Sequence, residues 1–211
     1  MAVILAASVA FADKPVNGVH NHGGDEGGAV TASIDLINCN DGAIAKWITT
    51  PDDNTITFQI VDVAGIGDGV VQDVRDGVLE WNNVQMDYLL EEVAVDADIT
   101  IELFFKIVPG SILGAAGVVC PTGADGIQTV SIALGVKGLN SVGVQNLTAH
   151  EAGHALGLGH ADNGKDLMGA RFERKEEGKR LVCPSNLDVE GLTAGTDPYV
   201  LEVAWEELPC L

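Results

Sequence analysis

Apolar and polar positions alternate along several stretches of this chain and recur at helical spacing along others. In "TITFQIV" (Thr55–Val61), Ile56, Phe58 and Ile60 alternate with Thr55, Thr57 and Gln59, the pattern of a half-buried strand. "DITIELFFKI" (residues 98–107) and "QTVSIAL" (residues 128–134) alternate in the same way. Between them "SILGAAGVVCPTGADG" is Gly-rich, and its short apolar run predicts an edge strand followed by a loop. From Asp68, read as the cap, Val70, Val74, Val78 and Trp81 fall at i, i+4, i+8 and i+11 and predict a helix with one apolar stripe. A second helix is expected to start near Val142–Val144 and to carry Leu147, His150, Glu151, His154 and Leu156. Gly157 and Gly159 can adopt positive φ and end it. "RFERKEEGKR" reads as a solvated loop or an exposed helix face, and "PSNLDVEGLTAG" as a short helix with Ser185 or Asn186 as N-cap.

Length and composition place these elements in one folded unit. With 211 residues and 46% hydrophobic content, the chain can bury one sizeable core. Residues 46–211 are read as that domain, and residues 13–45, with "NGVHNHGGDEGG", as a polar, loosely ordered lead-in. Residues 1–12 are apolar and end in Ala10-Phe11-Ala12, an A-x-A cleavage pattern of a partial signal peptide, so a secreted protein is expected. The four cysteines, Cys39, Cys120, Cys183 and Cys210, fit two disulfides in an exported chain, and the three possible pairings stay open. The net charge of -20 argues against nucleic acid or an anionic membrane surface as partner. No stretch is long and apolar enough for membrane insertion, and a monomer is expected.

The chemistry concentrates in "TAHEAGHALGLGH", residues 148–160. Residues four apart share a helix face, so His150 and His154 can both offer imidazole nitrogens to one ion. Glu151 lies beside the first ligand, and the break at Gly157 swings His160 round as a third. Three neutral histidines leave zinc one open position, the arrangement of a catalytic rather than a structural site. At background residue frequencies the whole pattern arises by chance about once in 10⁵ such chains. Three imidazoles converging without a metal would be costly to bury.

His150-Glu151-x-x-His154-x-x-Gly157-x-x-His160, followed by Met168 in "DLMGA", resembles the metzincin signature, and the spacing is closest to the matrixins. "DADITIEL", "HADNGKDLM" and "PSNLDVEGL" are similar to the matrixin central strand, third-ligand loop and C-terminal helix. The resemblance implies an α+β zincin-like domain: a twisted mixed sheet, two long helices and a small C-terminal subdomain with Met168 in a Met-turn. It implies a zinc-dependent endopeptidase with one catalytic Zn2+, Glu151 as general base, and a peptide or protein substrate. That substrate would pair with the edge strand at Ile112, Leu113, Gly114, Ala115 and Ala116. An exopeptidase, or a non-catalytic or narrowly specific zinc-binding surface protein, is the alternative on the same fold.

The sequence also departs from the matrixins. Ala161 stands where matrixins carry Ser, and Gly169-Ala170 replaces Tyr-Pro after the Met. No His lies between Phe105 and His150 for a second, structural zinc, and Cys39 in "INCNDG" does not match a cysteine switch. Ca2+ is a further cofactor the resemblance allows, with Asp96, Asp98, Asp125, Asp162 and Asp166 in or near loops as ligand candidates. His20 and His22, beside Asp25 and Glu26, read as part of a disordered polar N-terminus rather than an auxiliary metal site. Asn146-Leu147-Thr148 matches a glycosylation sequence but falls inside the helix expected to carry zinc.

Overall fold

A computed structural model describes residues 31–39, 44–48, 53–84, 86–107, 113–120, 126–164, 166–169, 181–193, 201–204 and 208. The alternating stretches become the strands of one mixed sheet. These are β2 (Thr55–Val61), β4 (Ile99–Phe104) and β6 (Thr129–Gly135), joined by β3 (Leu89–Glu92) and β5 (Gly114–Val119). The order is β3-β2-β4-β6-β5; β2 runs parallel to both β3 and β4, and β4 to β6, while β5 is the antiparallel edge. Ile56, Phe58, Ile99, Ile101, Leu103, Val130, Ile132 and Leu134 are all buried in the core. The alternate positions are more polar, and on them the Gln59 amide donates to Thr100 Oγ1 at 2.9 Å.

Two long helices, α1 (Asp68–Leu79) and α2 (Ser141–Ala155), pack on each other and join the sheet in one core. Val74, Val78 and Trp81 of the predicted stripe are fully buried, Trp81 from a short 3-10 turn that follows α1. Asp68 is not the cap of α1. The cap position is Gly67, and Asp62 instead accepts from the main-chain N–H groups of Ile66 and Gly67 in the loop leading in. Asn140 caps α2, its side chain accepting from the Gly143 N–H at 2.9 Å.

A second, three-stranded sheet of order β7-β1-β8 carries the C-terminal part of the molecule. Its strands are β1 (Thr31–Leu36), β7 (Leu158–Ala161) and β8 (Leu201–Ala204), with α3 (Asn186–Thr193) packed against it. β1 lies within the stretch expected to be a loosely ordered lead-in. Its apolar positions Ala32, Ile34 and Leu36 alternate and are buried, and that burial holds the segment in place. Cys39, just after β1, is disulfide-bonded to Cys120, just after β5. Cys183 is also disulfide-bonded, and Cys210 lies outside the described residues. Residues 1–12, His20, His22, Asp25, Glu26, Ile112 and Asp125 lie outside them too.

Candidate metal centre and active site

α2 turns one face of its last two turns toward β7, and three imidazoles converge there. His150 and His154 come from the helix, and His160 from β7. Ring centroids lie 4.7 Å apart for His150–His154, 4.8 Å for His154–His160 and 5.5 Å for His150–His160. One ring nitrogen from each falls within 4.8 Å of the others, a spacing at which the three could hold one metal ion. Among the described residues no other cluster of His, Cys, Asp or Glu side chains forms such a group.

The helix leaves this face through Gly157, whose φ of 101° lies in the left-handed region. A side chain there would also collide with the Ala45 carbonyl oxygen, because residues 44–47 pass directly over the helix end. The Trp47 indole fixes that approach by donating to the Ala155 carbonyl at 2.9 Å.

Main-chain carbonyls set the tautomers. His150 Nδ1 lies 2.7 Å from the Leu167 carbonyl and His154 Nδ1 lies 2.8 Å from the Leu158 carbonyl. A carbonyl oxygen can only accept, so both Nδ1 atoms carry the proton and both Nε2 atoms keep a lone pair for a ligand. Burial favours the uncharged ring, pushing His150 down to about 4 and His154 down to about 3. Neutral imidazole is the form that binds metal, so the donor set fits zinc.

Glu151 projects beside this cluster and is 5% exposed. Burial alone lifts its carboxyl to about 8, and a cation held by the three imidazoles would draw it back toward the ionised form that a general base needs. Gly114, the first residue of β5, lies against it; a Cβ on Gly114 would overlap the Glu151 carboxylate. The edge strand therefore reaches the acid only because position 114 has no side chain. Leu113 comes immediately before β5, whose bounds run further along the chain than the predicted Ile112–Ala116. Leu113 still extends the ladder, its carbonyl accepting from the Gly135 N–H at 2.7 Å.

Met168 follows Leu167, whose carbonyl meets His150 Nδ1, and is fully buried. Its turn is closed by hydrogen bonds from Gly169 N–H to the Asp166 carbonyl at 3.0 Å and from Ala161 N–H to the Met168 carbonyl at 2.8 Å. The thioether packs against Gly153 and Trp81, where a Cβ on Gly153 would meet Met168 Sδ and, at 2.8 Å, Trp81 Cζ2. Trp81 in turn donates its indole N–H to the Ala149 carbonyl at 2.8 Å. This packing supports the helix at Gly153, next to His154 in the chain.

A buried polar cluster joins the Met-turn to α3. Ser185 and Asp188 cap one another: Asp188 N–H donates to Ser185 Oγ at 3.2 Å, and Ser185 N–H donates to Asp188 Oδ2 at 2.7 Å. Ser185 Oγ also donates to Asp166 Oδ2 at 2.7 Å, and Asp166 Oδ1 accepts from the Met168 N–H at 3.1 Å. Burial, together with the facing Asp166 carboxyl, drives Asp188 well above the usual carboxylate range.

Three of the five acids expected to offer calcium ligands accept hydrogen bonds within the protein. Asp98 accepts from Thr57, Asp162 from the Ser33 N–H, and Asp166 from Ser185 and Met168. Asn146 is 2% exposed and accepts from the Val182 N–H at 2.9 Å, so its side chain is not presented to solvent.

Of the residues singled out in the sequence, the structure brings His150, His154 and His160 together, while Glu151 lies against Gly114 and Met168 against Gly153. The sequence reading missed the carbonyls that set the tautomers, the contact of Gly114 with Glu151, and β1, although the alternation of Ala32, Ile34 and Leu36 was there to be read. A search of curated proteins returns no match. Residues 46–194 match the family model described as Matrixin. That match takes in α2, the Met-turn and all three histidines and spans well over half of the chain, which therefore belongs to the matrixin family of zinc-dependent metallopeptidases.

Proposed function

We propose that this protein is a secreted endopeptidase that holds one zinc ion on His150, His154 and His160 and uses Glu151 as its general base. The observation that carries this reading is the juxtaposition of three converging imidazoles, a buried carboxyl and an edge strand. Zinc, when bound, supplies the Lewis acidity that polarises a water and a scissile carbonyl. His150 and His154 present Nε2 because Leu167 and Leu158 hold their Nδ1 protons. Glu151 takes the proton of the attacking water at a carboxylate oxygen and passes it to the leaving amine nitrogen. Its proximity to Gly114 sets the acid next to whatever main chain lies along β5.

β5 is the edge of the sheet, so an extended peptide can pair with its free side from either direction along the chain. Main-chain pairing on both sides of the scissile bond favours internal cleavage over removal of terminal residues. Export is supported by the Cys39–Cys120 and Cys183 disulfides, and no helix among the described residues is long and apolar enough to cross a membrane. The protein acts as a monomer in this reading.

The test is incubation with a diverse peptide mixture, including peptides blocked at both termini, followed by identification of the new ends. Internal cleavage of blocked peptides, abolished by a chelator and restored by zinc, is the expected result. Release of terminal residues alone would point to an exopeptidase, and no chelator-sensitive cleavage to a zinc-binding surface protein.

A further inference from the structure

The three imidazoles are not held in the same way. His150 and His154 are half-buried and stand on α2, while His160 is exposed and stands on the four-residue strand β7. What aims His160 is therefore the pairing of β7 with β1. Ile34 pairs with Ala161 and Leu36 pairs with Leu158, with a register shift between them. Three steps along β7 thus match two along β1, so Gly159 and His160 together face the single residue Asp35. This is a β-bulge, a device that redirects a side chain.

Hydrogen bonds close the bulge on both sides. Ile37 N–H donates to the Gly157 carbonyl at 2.9 Å, and Asp162 N–H donates to the Ser33 carbonyl at 2.9 Å. Ser33 N–H also donates to Asp162 Oδ1 at 2.8 Å. The strands are pressed together at this point: a Cβ on Gly159 would lie 2.7 Å from Asp35 Cβ and 2.8 Å from the Asp35 carbonyl oxygen. Ala32, Ile34 and Leu36 occupy the buried face of β1, which puts the Asp35 carboxyl on the opposite face. Burial raises its pKa, the neighbouring His160 lowers it, and Asp162 raises it.

We propose that Asp35 is a positioning residue for the third metal ligand: set opposite the Gly159-His160 bulge by the β1–β7 pairing, its carboxylate orients the His160 imidazole and strengthens its donation to zinc. The inference rests on the zinc reading above. It concerns a segment outside the matrixin match, because β1 precedes residue 46. A carboxylate behind a metal-bound imidazole fixes the ring and raises its basicity, and losing one costs about 10–100-fold in metal affinity. Asp35 is solvent-exposed, which places the effect toward about tenfold.

The experiment uses the full chain, stripped with a chelator and titrated with zinc against a chromogenic competitor, alongside the visible spectrum of the Co2+-substituted protein. Wild type is compared with Asp35→Asn and Asp35→Ala, and thermal unfolding of the stripped forms is recorded. The expected result for Asp35→Asn, which keeps the size of the side chain, is zinc affinity about tenfold weaker and shifted Co2+ bands. Asp35→Ala should match or exceed that loss. Wild-type affinity and spectrum in Asp35→Asn would overturn the proposal. So would weaker binding that merely follows a lower stability of the stripped protein, with unchanged Co2+ bands, since Asp35 would then serve the strand pairing alone. If wild type itself takes up no zinc, the zinc reading fails first and the proposal with it.

Discussion

Position 114 shows how a single missing side chain shapes the site. Edge strand β5 can reach Glu151 because Gly114 has no Cβ to strike the carboxylate. Gly114→Ala should push the Glu151 carboxylate aside while leaving all three histidines in place. Displacing a reacting group by about 1 Å costs about 10²-fold in rate, so kcat/KM should fall by that order with zinc still bound one to one. Undiminished cleavage by the zinc-loaded variant would contradict the placement of Glu151 against β5. The same scale explains which site residues were legible. His150, His154, His160 and Glu151 announce themselves by type and spacing, because the chemistry demands those side chains. Gly114 and the carbonyls of Leu158 and Leu167 act through absence or through main chain, which any residue type can supply.

Among the elements, α3 and the Met-turn form one unit through Ser185, Asp188 and Asp166. Because Asp188 is raised in the folded protein, the native state holds a proton that the unfolded chain gives up near pH 4. Its contribution is therefore complete below about pH 4 and is lost as pH rises through the raised native value. Asp188→Asn, which cannot titrate, should gain on wild type as pH rises from about 4 to that raised value and hold the gain above it. The difference should grow by up to about 1.4 kcal/mol per pH unit within the window. Urea unfolding of both zinc-loaded forms from pH 4 to 8 measures it, and parallel curves would contradict the assignment.

β2, β4 and β6 could be read from the sequence because alternation is a local signal and each strand has one covered face. α2 was equally open to sequence, with a cap one residue before its first turn. β3, β7 and β8 have only four residues each, too short for a period to emerge. β1 does alternate, but the Gly- and Asp-rich residues before it hid a strand whose partners lie more than a hundred residues away.

At the scale of the whole molecule, segments on either side of the matrixin match complete the sheet that carries His160. β1 and β8 both lie outside residues 46–194, yet they flank or extend the sheet that carries His160. The Cys39–Cys120 disulfide then ties the end of β1 to the end of β5, across a sequence separation of 81. The third ligand and the edge strand are thus fixed to one covalent brace, and a link over a loop of that length removes much of the freedom of the unfolded chain. The proposed function depends on Glu151 as a proton carrier beside a zinc site. The most direct test is kcat/KM of zinc-loaded Glu151→Gln on a peptide blocked at both ends, with bound zinc counted in the same sample. The account predicts one zinc per chain and a loss of about 10²–10⁴-fold. Turnover at the wild-type rate with zinc bound would contradict it.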